Sequence, residues 1–282
     1  MNVNITSLMI KELRQRTGVG MSKCKNALVR SEGNVDKAIE LLRKEGMASA
    51  SKKEDRIAKE GLIGFEKSED LIGMVELSCE TDFVAQNKAF TVFLQDIVKQ
   101  IIDTKPSSLD ELNKQKFIVD ETLTVDEFRN ILIQKFGEKI EIKRMEVIKK
   151  EENSSYGIYS HMNGKIVTIV EIEGLGEEIL AKNIAMHVAA ERPEYLQKED
   201  VSKEVIEKEK EIAKVQIQNK PDYIKGKIVE GKIKAFYDSV CLLNQKYVKD
   251  PSFSVEQYVE SCALKANKKL RITKFWYWKI GQ

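Results

Sequence analysis

Histidine is nearly missing from this sequence, with two in 282 residues, His161 and His187. An imidazole-based catalytic set would need one of them near a nucleophile, and no nucleophile-elbow serine stands in reach by motif. Cysteine is also scarce. Cys24, Cys79, Cys241 and Cys262 form no C-x-x-C pair, and with so few histidines no ligand cluster for zinc remains. Cys24, Cys79 and Cys262 lie on apolar stripes and read as small buried hydrophobes, although Cys79 also stands where a reactive thiol could serve. No phosphate loop of the G-x-x-x-x-G-K-[ST] type is present, and Gly18-Val19-Gly20 joins two helical patterns rather than a strand and a helix. No apolar run approaches the roughly 18 residues of a membrane span. The start, Met1 to Thr6, has neither a basic region nor an apolar stretch, so a cytoplasmic protein is expected. Charge of one sign is missing too: a third of the residues are charged, yet the net is +2, unlike a sequence-independent nucleic-acid binder. The expectation is a protein without catalytic chemistry, cofactor or metal, whose partner is neither nucleic acid nor membrane.

What is present falls into three sections. Residues 1–53 read as three short helices followed by a tether. Thr6 or Ser7 caps the first helix, Ser22 the second, and the third runs from Val35 to Gly46. Ala48 to Lys53 then reads as the tether. The rest, 54–148 and 149–282, contains an internal duplication. Thr124-Val125-Asp126-Glu127-Phe128 matches Ser254-Val255-Glu256-Gln257-Tyr258 at an offset of 130, and the match continues from Ile140-Glu141-Ile142 to Leu270-Arg271-Ile272. Ile72, Met74, Glu76 and Leu77 match Val167, Ile169, Glu171 and Ile172 at an offset of 95. Each copy therefore runs strand pair, helix, connection, helix, strand. The mismatch of offsets, about 35 residues, places an insertion in the second copy at about 199–245. Its apolar positions Val205, Ile212 and Val215 face Ile224, Ile228 and Phe236 across a break at Asn219-Lys220-Pro221, which predicts an antiparallel helical hairpin. The fold class is α+β.

The most informative segment is Thr81-Asp82-Phe83-Val84-Ala85, between an alternating apolar run and the helical series Phe90, Phe93, Leu94, Ile97, Val98 and Ile101. Locally, Thr81 reads as an N-cap, Asp82 as a carboxylate favoured by the helix dipole, and Phe83 as a core aromatic. The same turn could instead hold an acidic-aromatic point on rigid elements. His187, between Ile184 and Val188, reads as a hydrogen-bonded core histidine, and His161 as an exposed residue of a hairpin turn. Lys52, Lys53 and Arg56 read as a solvated basic group. The terminal Phe275-Trp276-Tyr277-Trp278 reads as a strand with one core face and one packed or partner-facing edge.

Three blocks resemble the elongation factor Ts family: Leu13 to Met21 continuing through Cys24-Lys25 to Leu28, Cys79 to Ala85, and Ile184 to Ala190. The resemblance implies a ubiquitin-associated-like three-helix module, two related α+β core subdomains and an inserted helical hairpin. It implies exchange of guanine nucleotide on the GTPase elongation factor Tu. The helical module, with Lys25 and Lys53, would contact the nucleotide domain. Thr81, Asp82, Phe83 and Val84 would enter beside the bound magnesium and dislodge it, and the second subdomain would grip a distal domain through the region of His161. In the family the hairpin is linked to self-association, which leaves a homodimer open here. Some members continue into a further helical segment, whereas this sequence stops at Gln282, so that segment's contacts are expected to be absent or replaced. The residues alone also fit a ribosome-associated or chaperone-like binding module without exchange activity.

Overall fold

The computed structural model describes residues 5–217 and 221–282. α1 (Ser7–Thr17) is capped by Thr6, whose Oγ1 accepts from Met9 N at 3.3 Å, and it ends on Gly18 at φ 67°. α2 (Met21–Arg30) starts from Gly20, not Ser22, which lies inside the helix. Thr17 Oγ1 folds back onto Leu13 O at 2.7 Å and buried Val19 anchors the turn, so the chain re-enters the helix two residues early. α3 (Val35–Ser51) is capped by Asn34 and packs with its neighbours around Leu13, Cys24, Leu28, Ala38 and Leu42.

The expected stop at Gly46 and the tether at Ala48 are not found, because α3 continues to Ser51. Gly46 is a packing contact, not a terminator: a β-carbon there would meet the Asn130 carbonyl at 3.4 Å. Ala48 and Ala50 are good helix formers, and Ala50 packs against the adjoining core.

β1 (Glu60–Lys67) and β2 (Leu71–Cys79) form an antiparallel hairpin. After the single turn of α4 (Asp82–Ala85) comes α5 (Lys88–Thr104), which buries the whole expected series from Phe90 to Ile101. Then follow α6 (Leu109–Lys114), the small hairpin β3 (Lys116–Phe117) and β4 (Asp120–Thr124), α7 (Val125–Phe136) and β5 (Ile140–Lys149). β5 pairs antiparallel with β2, giving the order β1-β2-β5.

The second copy repeats this plan with β6 (Ser154–His161), β7 (Ile166–Glu173), α8 (Glu178–Glu191), α11 (Val255–Ala266) and β8 (Arg271–Lys279). Its sheet order is β6-β7-β8. Between them lie α9 (Lys203–Gln216) and α10 (Asp222–Val240). The duplicated helices α7 and α11 carry the same device. Thr124 with Glu127, and Ser254 with Gln257, form capping boxes, and each helix ends on a left-handed residue, Gly137 or Asn267. The helical insertion is present, and Lys232 Nζ donates to Gln216 Oε1 at 2.6 Å across it. Its seam differs from expectation: Ala213 and Ile217 are buried, whereas Val215 is 65% exposed. The expected break falls partly at 218–220, outside the described residues. The chain divides into two compact units, Met1–Lys150 with Lys279–Gln282, and Glu151–Trp278.

Candidate functional site

The turn after β2 is built from both ends of a strand pair. Cys79 faces Ile140 in the β2–β5 ladder, which places Glu80 and Thr81 beside Glu138 and Lys139. The Glu138 carboxylate accepts from Thr81 N at 3.0 Å and from Thr81 Oγ1 at 2.7 Å. In return Lys139 N donates to Glu80 Oε1 at 2.6 Å, and Arg56 Nη1 donates to the same oxygen at 3.2 Å. Two carboxylates thus lengthen the ladder where main-chain pairing stops. Charge-assisted bonds of this kind are about twice as strong as neutral ones. Cys79 is fully buried with its thiol donating to Thr81 O at 3.1 Å, a structural setting and not that of a reactive group.

On this base stands α4. Thr81 Oγ1 also accepts from Val84 N at 3.4 Å, the N-cap that the residue pattern predicts. Val84 and Ala85 are buried and fasten the turn from below, whereas Asp82 is exposed. Phe83 is 84% exposed, which excludes the core-aromatic reading. Burying a phenylalanine stabilises by about 1.5–3 kcal/mol relative to leaving it in water. That gain is not realised within this chain and is available to a partner.

The other expected residues are distributed unevenly. Lys25 is exposed on α2. Lys53 lies near Glu80, but its ammonium turns back to α3, donating to Ser49 O at 3.2 Å and Ser49 Oγ at 2.6 Å. Burial, with the neighbouring charges of Arg56 and Lys23, pulls its pKa below the usual lysine value. His161, exposed at the end of β6 and hydrogen-bonded to Tyr159 Oη at 3.1 Å, belongs to the other compact unit. His187 is fully buried. Its Nδ1 accepts from Val248 N at 3.1 Å, so Nε2 carries the hydrogen donated to Gln245 Oε1 at 3.0 Å, and burial holds it neutral with a lowered pKa. It is the core histidine the pattern predicts. Glu138 and Glu80 were not among the expected site residues, because their importance depends on which strand pairs with β2.

The turn thus presents an exposed aromatic on a braced support. Comparison with known proteins specifies the family. The family model described as Elongation factor TS matches residues 80–282. Elongation factor Ts of Protochlamydia amoebophila (strain UWE25) is 51% identical over 279 residues, covering 99% of each chain. Elongation factor Ts of Chlamydia muridarum (strain MoPn / Nigg) is 42% identical over 273 residues, 96% of this chain and 97% of its own. The chain belongs to the elongation factor Ts family. Membership implies nucleotide exchange on elongation factor Tu in translation elongation, a role that needs no bond-making chemistry.

Proposed function

We propose that this protein binds GDP-loaded elongation factor Tu and speeds GDP release by pressing the α4 turn against the groups that hold the bound magnesium. The carrying observation is Phe83, largely exposed yet mounted on a turn fixed by Glu138, Glu80 and two buried residues. A wedge must be both available and stiff to displace anything. Magnesium neutralises phosphate charge, so shifting it weakens nucleotide binding without any covalent step. Asp82, exposed beside Phe83, supplies polar contacts that hold the altered state. Thr81 and Val84 serve as its fixings. Lys25 on the helical module adds a contact with the nucleotide domain, and Lys53, whose ammonium rests on Ser49 in the free chain, turns outward to add a second. His161 on the second unit meets a distal domain of the partner. The chain acts in the cytoplasm.

Exchange of this kind is a coupling free energy, so nucleotide must loosen the factor as much as the factor loosens nucleotide. The experiment is a pair of affinities, for nucleotide-free and for GDP–magnesium-loaded elongation factor Tu. The exchange reading expects the nucleotide-free form to be bound tighter by orders of magnitude, at about 1.4 kcal/mol per tenfold. Equal affinities would reduce the protein to a binding module without exchange activity.

A further inference from the structure

The three-helix module rests on α7 of the first core subdomain. Gly46 brings α3 so close that a β-carbon there would lie 3.4 Å from the Asn130 carbonyl oxygen. Lys23 Nζ donates to Gln134 O at 3.3 Å, and Arg43 Nη2 donates to Thr122 Oγ1 at 3.3 Å. Towards the end of α3 this packing opens. A cavity of about 410 Å³ is lined by Met47, Ser51 and Glu54 on one side and by Lys139 and Ile142 on the other. Dispersion attraction falls steeply with distance, so packing alone does not fix the chain where it leaves α3.

Two polar links join that segment to the base of α4, and they run in opposite directions. Lys139 Nζ donates to Glu54 O at 2.8 Å, reaching from the base to the segment. Arg56 Nη1 donates to Glu80 Oε1 at 3.2 Å, reaching from the segment to the base. The same Glu80 oxygen accepts from Lys139 N at 2.6 Å, so the two links meet at one point. That point directly precedes Thr81, which caps the turn carrying exposed Phe83.

Given exchange through the α4 turn, we propose that Arg56 and Lys139 are positioning residues. They clasp the three-helix module to the α4 turn, so that module and turn meet the partner as one rigid piece. A rigid piece cannot seat the module on GDP–magnesium-loaded elongation factor Tu without pressing Phe83 inward. A loosened piece seats the module while the turn hangs back, which removes the differential contact that drives release. The clasp also spares the cost of ordering the two parts when both bind the nucleotide-free form.

The test is calorimetric titration of nucleotide-free and of GDP–magnesium-loaded elongation factor Tu with the full chain and with a double variant, Arg56→Met with Lys139→Met. Both substitutions keep an aliphatic stem, and the Lys139 main-chain donor to Glu80 stays in place. The ratio of the two affinities is expected to fall about fivefold in the double variant, the effect of losing two partly exposed polar links. Thermal melting should stay close to that of the unaltered chain. Arg56→Lys with Lys139→Arg, which retains both donors, should recover most of the ratio. A merely weakened fold would lower both affinities alike, so an unchanged ratio in the Met variant overturns the clasp while leaving exchange intact. Equal affinities in the unaltered chain would overturn exchange and the clasp together.

Discussion

The two copies of the core subdomain brace the turn after their central strand from the same place with opposite charge. In the first copy Glu138, the residue after left-handed Gly137, accepts hydrogen bonds from Thr81. In the second copy the matching residue is Lys268, after left-handed Asn267, and its Nζ donates to Leu175 O at 2.9 Å and Glu177 Oε1 at 2.8 Å. The framework thus holds its turn with either polarity, and what differs is what the turn displays. The first offers a capped helical turn with Asp82 and Phe83. The second passes through Gly174 and Gly176 at φ 127° and 80° and ends at the uncapped start of α8. The bracing position is common to the two copies, while the displayed residues differ. The same support position thus carries different displayed residues in the two copies.

The two turns differ most at Phe83. Phe83→Ala is expected to cost about 2 kcal/mol or more in binding to elongation factor Tu, the effect of removing a hot-spot aromatic. Stability should stay nearly constant because the ring is exposed. Calorimetric binding and thermal melting would separate the two effects. Removing the brace is next. Glu138→Ala should cost about 1.5 kcal/mol in stability through the lost charge-assisted bonds, and should slow GDP release although Glu138 need not touch the partner. Restored release with Glu138→Gln, which keeps an acceptor for Thr81, would distinguish bracing from a charge effect on the partner.

The place of the turn was legible in the residues because its signals are local: an alternating run, Thr81 as cap, and the spacing of Phe90 to Ile101. The capping boxes at Thr124 and Ser254 made the duplication legible for the same reason. Glu138 was not, since its partner lies 57 positions away and depends on the β2–β5 register. Gly46 misled because a glycine that ends a helix and one that lets two helices approach look alike in sequence. The exposure of Phe83 could not be read from periodicity either, for a four-residue helix is too short to show a face.

The second copy carries its own pH-sensitive group. His187 is buried neutral with its pKa held below the ordinary 6.5. Above pH 6.5 neither the folded nor the unfolded chain protonates it. As pH falls below 6.5, the unfolded chain takes the proton first, so stability drops by up to about 1.4 kcal/mol per pH unit until the folded value is reached. Urea unfolding between pH 7.5 and 5.5 should show this slope in the transition reporting the second unit, and His187→Gln should flatten it. The smallest effect is expected for Lys268→Ala. Its exposed pairing contributes about 0.5 kcal/mol, and GDP release should be unchanged, since that turn displays Leu175 and Ile179 but no aromatic in place of Phe83.

The most direct test is the rate of GDP release from elongation factor Tu with catalytic amounts of the protein or of Phe83→Ala, measured in saturating magnesium and again with the metal chelated. A large gap between the two proteins in magnesium, closing once the metal is removed, is the predicted result. Equal rates in magnesium would contradict a wedge acting through Phe83.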